Sequence, residues 1–470
     1  MELSPCDRMF HAPLLNCHIL SIIGLNAAVD PTVLKFGLQQ TLIKHPRFSS
    51  KLSINERKMK WTPTIVNLQD HVIIPKVDPK MDSPDQFVED YVSRLTTIPT
   101  MDLSKPLWEI HILNIKTSNA QSICVFKIHH SIGDAVSLMS LLLASTRKKS
   151  DPKSLPTIPS RKRAGSNASN GFMWMKLRTI WNTFVDMILF GATILFLEDT
   201  KTSLKGSSSR VDLKPKRVVY RIVSLDDIKV VKTKMNITIN DVMLGVIQAG
   251  LSRYLNHECA GDNDQKGEKE KQKKINLQKK TRLRATLMVN LRPTSGIQSL
   301  ETLMSKESKQ KKWGWGNKFG YMVLPFETAL QNEPLDYVRQ AKATVDRKKD
   351  SLEALCSFRI ATLIVNIFGA EVASAVAHRF ISNTTMALSN VVGPIEEISF
   401  YGHPIQFLAT TVYGHPHALT IHYQSYFNKM TIVVAVDPDV IPNPHKLCDH
   451  LEESLNIIKN AVLDKGFDAA

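Results

Sequence analysis

The chain has 470 residues, 43% of them hydrophobic, and a formal net charge of +16. That length and apolar content predict two or three domains with ample material for a core. The excess positive charge draws polyanions such as acidic lipid or phosphate-bearing molecules, but no finger, RNP or helix-turn-helix signature makes nucleic acid an expected partner.

Six cysteines, Cys6, Cys17, Cys124, Cys259, Cys356 and Cys448, are widely scattered. No close pair suggests a metal knuckle or redox dithiol, and the pattern fits a reduced, cytosol-facing protein. No HExxH run occurs, so no metal site is expected. Pro5, Cys6 and Asp7 interrupt the first residues, and no signal-peptide pattern is evident there.

A first lobe is expected over 1–147. Ser83-Pro84-Asp85-Gln86 predicts a helix start, with Pro84 at the first helical position and Gln86 placed for a capping box. Phe87, Val88, Tyr91, Val92 and Leu95 form its apolar stripe. Trp108 to Ile115 reads as extended, beside a buried strand from Ser122 to Ile128. That strand runs into His129-His130-Ser131-Ile132-Gly133-Asp134-Ala135, and Val136 to Ala144 predicts an apolar helix. Side chains alternate along a strand, so His129 and His130 face opposite sides.

Residues 148–215 read as a linker around an apolar segment. Phe184 to Leu197 is shorter than the ~20 residues that span a bilayer, and Asp186 lies inside it. With Phe172, Trp174, Lys176, Arg178 and Trp181 upstream, it fits an interfacial helix, a buried crossover helix, or a span extended by its flanks.

A second lobe is expected over 216–470. Arg217 to Val223 and Leu283 to Val289 are strand candidates, and Thr238 with Asp241 can cap a helix. Residues 256–281 form a polar, charged insertion that includes the basic run Lys266 to Lys280, and mobility is expected there. Ala418 to Ser425 and Met430 to Val436 read as late strands, and Leu447 to Leu463 as a closing amphipathic helix. The alternation of helices and strands predicts an α/β fold in two lobes.

The chemistry centres on His130. An imidazole near neutral pKa accepts a proton from a hydroxyl and passes it to a leaving group. Asp134 can bind that imidazole, cap the following helix, or pair with an arginine; Arg292 is a candidate to hold it bidentately. Asn240 and Asp241 open a helix and supply an amide donor and a brace, or simple capping. Ser389, Asn390 and Gly393 mark one sharp turn, and Asn317 and Gly320 another, where glycine permits close approach to a ligand or serves an ordinary loop. No Gly-x-Gly-x-x-Gly, Walker or Gly-x-Ser-x-Gly pattern is present.

In their order along the chain these pieces resemble the plant form of the wax ester synthase/diacylglycerol acyltransferase family, within the CoA-dependent acyltransferase superfamily marked by His-His-x-x-x-Asp-Gly. The resemblance rests on Leu3-Ser4-Pro5, Pro106-Leu107-Trp108-Glu109, His129-His130 through Asp134, and Asn240-Asp241-Val242. It continues through Asn290-Leu291-Arg292-Pro293, Gly316-Asn317-Lys318-Phe319-Gly320 and Ser389-Asn390-Val391-Val392-Gly393-Pro394. One position departs: the motif glycine is Ala135 here, which is harmless if that residue is already helical.

The resemblance implies two similar lobes, chloramphenicol acetyltransferase-like, with a tunnel between them. It implies His130 as general base, Asp134 as structural support with Arg292 as its partner, and Asn240 as oxyanion or active-site support. His129 and Asp241 are structural in this reading, and Asn317, Gly320, Ser389, Asn390 and Gly393 bind substrate. Acyl-CoA is co-substrate and no cofactor is bound. The acceptor is a long-chain fatty alcohol or diacylglycerol, at a membrane surface of the endoplasmic reticulum or the plasma membrane. Two alternatives stand beside it: a superfamily acyltransferase with another acceptor, and a non-catalytic lipid-binding protein.

Overall fold

The computed structural model describes residues 1–55, 58–78, 80–97, 101–159, 172–206, 215–260, 281–292 and 315–465. The run Lys266 to Lys280, most of the 256–281 insertion, Pro293 and Trp313-Gly314 lie outside the described residues.

In chain order the strands are β1 (His18–Leu25), β2 (Ser50–Asn55), β3 (Lys58–Pro63), β4 (Val72–Ile73), β5 (Trp108–Leu113), β6 (Ser122–His129), β7 (Thr146–Lys148), β8 (Arg217–Ser224), β9 (Leu283–Asn290), β10 (Phe319–Phe326), β11 (Met386–Val392), β12 (Ile398–Phe400), β13 (His403–Tyr413), β14 (Leu419–Tyr426) and β15 (Lys429–Val436). The helices are α1 (Pro5–Met9), α2 (Pro31–Gln40), α3 (Pro84–Leu95), α4 (Ala135–Ala144), α5 (Phe172–Leu195), α6 (Leu225–Lys234), α7 (Ile239–Ala260), α8 (Pro334–Lys349), α9 (Glu353–Phe368), α10 (Ala370–Ser382) and α11 (Pro444–Asp464).

Each lobe is built on one sheet. The first has strand order β4-β5-β6-β1-β13-β12-β7, and the second β10-β9-β11-β14-β15-β8. Two strands of the first sheet come from late in the sequence, so the expected lobe boundary at 216 does not hold for residues 398–413. β13 runs antiparallel to β1, with His18 opposite Tyr413 and Ile22 opposite Ala409. Its apolar residues complete the first sheet where β1 would otherwise be an edge. The β12–β13 turn, Tyr401-Gly402, has positive φ at both residues, the geometry that matches strand twist in a two-residue hairpin. The start of the expected linker is also sheet: β7 pairs with β12.

Pro84 opens α3 as expected, but Ser83 makes no side-chain cap, so no capping box forms there. One forms at α7, where Thr238 and Asp241 exchange backbone-to-side-chain bonds. Helix α5 is half packed. Asp186 is fully buried and takes ion pairs from Arg347 (2.7 Å) and Lys348 (2.9 Å), which offset the cost of a carboxylate inside an apolar face. The opposite face exposes Trp174, Leu177, Trp181, Phe184 and Ile188. A buried face and an exposed apolar face thus lie on opposite sides of α5. Among the described residues, no single helix is long and apolar enough to cross a membrane; the bent pair α8–α9 meets the length and composition together.

Candidate active site

His130 follows the last residue of β6, and its backbone N–H still reaches Cys17 O (2.9 Å) beside β1. The central strands of the first sheet therefore hold the histidine at the face opposed to the second sheet. Its ring stacks on Phe10 at 4.4 Å and lies 5.9 Å from Phe319. It is only 4% exposed, yet it lines two cavities where the lobes meet. One, of about 620 Å³, reaches Asp134, Ser389, Asn390 and His422. The other, of about 430 Å³, reaches Cys17, Thr286, Ile381 and His417.

Hydrogen bonds settle which ring nitrogen carries the proton. Asn317 Nδ2 donates to Asp7 Oδ1 (2.7 Å) and to His130 O (2.8 Å). A carboxylate and a carbonyl only accept, so the amide orientation is fixed and Asn317 Oδ1 faces the imidazole. That oxygen lies 3.0 Å from His130 Nδ1 and requires the proton there. Nε2 is left with its lone pair, as a base needs. Burial lowers the His130 pKa below the ordinary imidazole value, against the opposing pull of Asp134 and Asp7, so the ring is neutral at pH 7.

His129 turns the other way and lines neither cavity. Ser131 N–H donates to its Nδ1 (3.2 Å), so Nε2 carries the proton and donates to Asn16 Oδ1 (3.0 Å). It stacks on His11 at 4.2 Å, and burial holds its pKa well below the usual range. Its place is structural.

Asp134 does two of the three things open to it. Oδ1 caps α4 through Ser137 N (3.0 Å), and Oδ2 accepts from Arg292 Nη1 (2.6 Å) and Lys318 N (3.0 Å). The arginine contact is single rather than bidentate, because Nη2 is drawn to Gly316 O and Ser137 Oγ. Ala135 is the first residue of α4, and its φ is not positive. The motif glycine's conformational freedom is not used here.

A second-lobe segment clasps this loop. Trp315 Nε1 donates to Ile132 O (2.6 Å), and Ser137 Oγ donates to Gly316 O (3.2 Å). Gly316 has φ +118°, a conformation that suits glycine. Asn317 and Lys318 add the contacts already given.

Several expected substrate-binding residues are placed differently. Asn317 sits behind the imidazole and lines neither cavity, because Asp7 and the His130 carbonyl hold its amide. Gly320 and Gly393 serve packing: an added Cβ would meet Ala354 O at 1.7 Å and Ser425 O at 2.1 Å. Ser389 and Asn390 do stand on the wall of the larger cavity. Asn240 is one side chain removed. Its Oδ1 accepts from Tyr423 OH (2.6 Å) and Asn390 Nδ2 (3.3 Å), so it braces Asn390. Asp241 is buried in the α7 cap.

Asp7, Arg47 and Phe10 were not expected. Asp7 is fully buried, paired with Arg47 at 2.8 Å, and Arg47 also reaches Ser131 O (2.6 Å). The available signal was Ser4 three residues before Asp7, a capping box that the structure contains and that conceals the second task of the carboxylate. Among the described residues, no group of three or more His, Cys, Asp or Glu could hold a metal ion.

Residues 38–243 match the wax ester synthase/diacylglycerol acyltransferase catalytic domain, and residues 315–459 match the WS/DGAT C-terminal domain. Wax ester synthase/diacylglycerol acyltransferase 11 of Arabidopsis thaliana is 50% identical over 99% of this chain and 96% of its own. Number 5 of the same plant is 49% identical, over 98% and 94%. Among solved structures, the wax ester synthase/diacylglycerol acyltransferase from Marinobacter aquaeolei VT8 is similar with a TM-score of 0.59 and 15% identity, covering 98% of this chain and 100% of that one. The first condensation domain of the calcium-dependent antibiotic synthetase gives 0.58 at 12% identity, covering 100% and 97%. At such identities the likeness concerns the two-lobed fold alone. The sequence relatives and the two domain matches carry the assignment: this chain is an acyltransferase and belongs to the wax ester synthase/diacylglycerol acyltransferase family.

Proposed function

We propose that the protein moves a fatty acyl group from acyl-CoA onto a long-chain alcohol, forming a wax ester, with diacylglycerol as a second acceptor that yields triacylglycerol. The observation that supports this best is that His130, with its Nε2 lone pair free, lines two largely apolar cavities. In this reading Nε2 takes the hydroxyl proton as the alcohol oxygen attacks the thioester carbonyl. The tetrahedral oxyanion is met by donors on the cavity wall, with Ser389 Oγ and the Asn390 amide as candidates because both residues line the cavity. Collapse expels CoA as a thiolate, which recovers the proton from His130. No acyl-enzyme forms, and acyl-CoA is a co-substrate with no bound cofactor required. Holding both substrates at one base supplies the proximity advantage.

We also place the protein against the cytosolic face of the endoplasmic reticulum membrane, with the plasma membrane as a second location. The exposed aromatic face of α5 supports this, as do Leu363, Ile367 and Phe368 of α9, which packs against α5. The +16 charge favours an anionic surface.

The test is purified protein with labelled palmitoyl-CoA and either hexadecanol or diacylglycerol. Ester from hexadecanol is the expected result. Product from diacylglycerol alone moves the assignment to triacylglycerol synthesis, and lipid binding without turnover contradicts the enzymatic reading.

A further inference from the structure

A chamber of about 670 Å³ lies in the first lobe between α4 and the sheet. Leu38, Leu42 and Phe48 line it from the α2 side, and Leu138 and Leu142 line it from α4. The hydroxyls of Ser21 and Tyr401 on its wall are engaged by Thr410 (3.1 Å) and Thr41. The chamber also shares four wall residues, Ile19, Ala135, Val391 and Thr410, with the larger cavity at His130.

We propose that this chamber holds the unbranched alkyl chain of one substrate, and that Ala135 is the side chain at its doorway. The proposal rests on the acyl-transfer reading above. Its chemistry is that of a long saturated tail, which either acyl-CoA or the alcohol supplies. Burial of each methylene favours binding by roughly fourfold, so an apolar chamber makes rate rise with chain length until its wall is met. The residue at 135 acts on passage: it stands on the wall of both spaces, and its methyl occupies room that the motif glycine would leave open.

The experiment uses the full chain with Ala135→Val at the doorway and Leu142→Phe inside the chamber. kcat/KM is measured for octanoyl-CoA through stearoyl-CoA at fixed hexadecanol, and for octanol through octadecanol at fixed palmitoyl-CoA. In one of the two series both variants should lower the long-to-short ratio by about tenfold or more, and that series names the chain which occupies the chamber. Ratios within about twofold of native in both series, with the variants folded by circular dichroism, overturn the proposal. Ala135→Val alone decides it if Leu142→Phe does not fold. If the native protein makes no ester from any pair, the transfer reading fails and the chamber is read separately with cis-parinaric acid. Enhanced fluorescence on native protein that both variants weaken keeps the chamber as an alkyl site; no enhancement removes it.

Discussion

A neutral imidazole serves as a base only while the nitrogen facing the substrate is unprotonated. In this protein the Asp7–Asn317–His130 chain imposes that state, with Arg47 neutralising the carboxylate at its end. Asn317→Ala should lower kcat by about 10²-fold or more with little change in KM, because the other tautomer becomes accessible. An unchanged kcat would mean that the tautomer is fixed elsewhere. The pH profile follows from the same ring. Burial depresses the His130 pKa, so the base form persists through neutrality and kcat/KM should fall only below the ordinary imidazole value of about 6.5. A fall beginning above that value would contradict a buried neutral base. His130 is legible in the sequence, since a paired histidine ends an apolar strand and alternation separates the two rings. The tautomer control is not legible, because Asn317 lies 187 residues from His130 and 310 from Asp7.

At the scale of elements, the histidine loop is held by a buried ion pair and a clasp from the other lobe. Arg292 and Asp134 side chains are 5% and 8% exposed. Arg292→Ala leaves a buried carboxylate without its cation, and should cost about 3–5 kcal/mol in urea-unfolding stability. Asp134→Asn keeps a good cap for α4 and should cost less. Equal losses would mean that the unpaired carboxylate left by Arg292→Ala carries no extra cost. Helix α5 carries its own prediction. Replacing Trp181 and Phe184 by Asp should release the protein from phosphatidylserine vesicles in co-sedimentation, while native binding weakens as salt rises. Binding that is indifferent to both changes would contradict the membrane face. The elements were largely readable from periodicity and caps, but β12 and β13 were not assigned to the first lobe. Strand pattern reports burial and says nothing about which distant partner a strand will pair with.

The whole molecule buries several neutral imidazoles. Burial lowers His18, His45, His415 and His422 to about 3, and holds His129 and His417 well below the usual range. Their folded pKa values lie below the unfolded value, so the unfolded chain binds more protons in acid. Stability is therefore full above about pH 6.5 and is lost as pH falls toward the folded values, by up to about 1.4 kcal/mol per pH unit for each such group. The thermal midpoint should drop steeply between about pH 7 and about pH 5, and a flat midpoint would show that these rings are not held neutral. Two lobes with a tunnel between them could be anticipated from the family resemblance, whereas the residues that line the cavities could not, since they are as distant in sequence as Phe10 and His417.

The central claim is that one nitrogen of His130 accepts the hydroxyl proton. Ester formation from palmitoyl-CoA and hexadecanol by purified His130→Ala, beside native protein, addresses it most directly. With fold and palmitoyl-CoA binding intact, kcat should fall by about 10²–10⁴-fold. Turnover that stays within about tenfold of native would place the base on another residue.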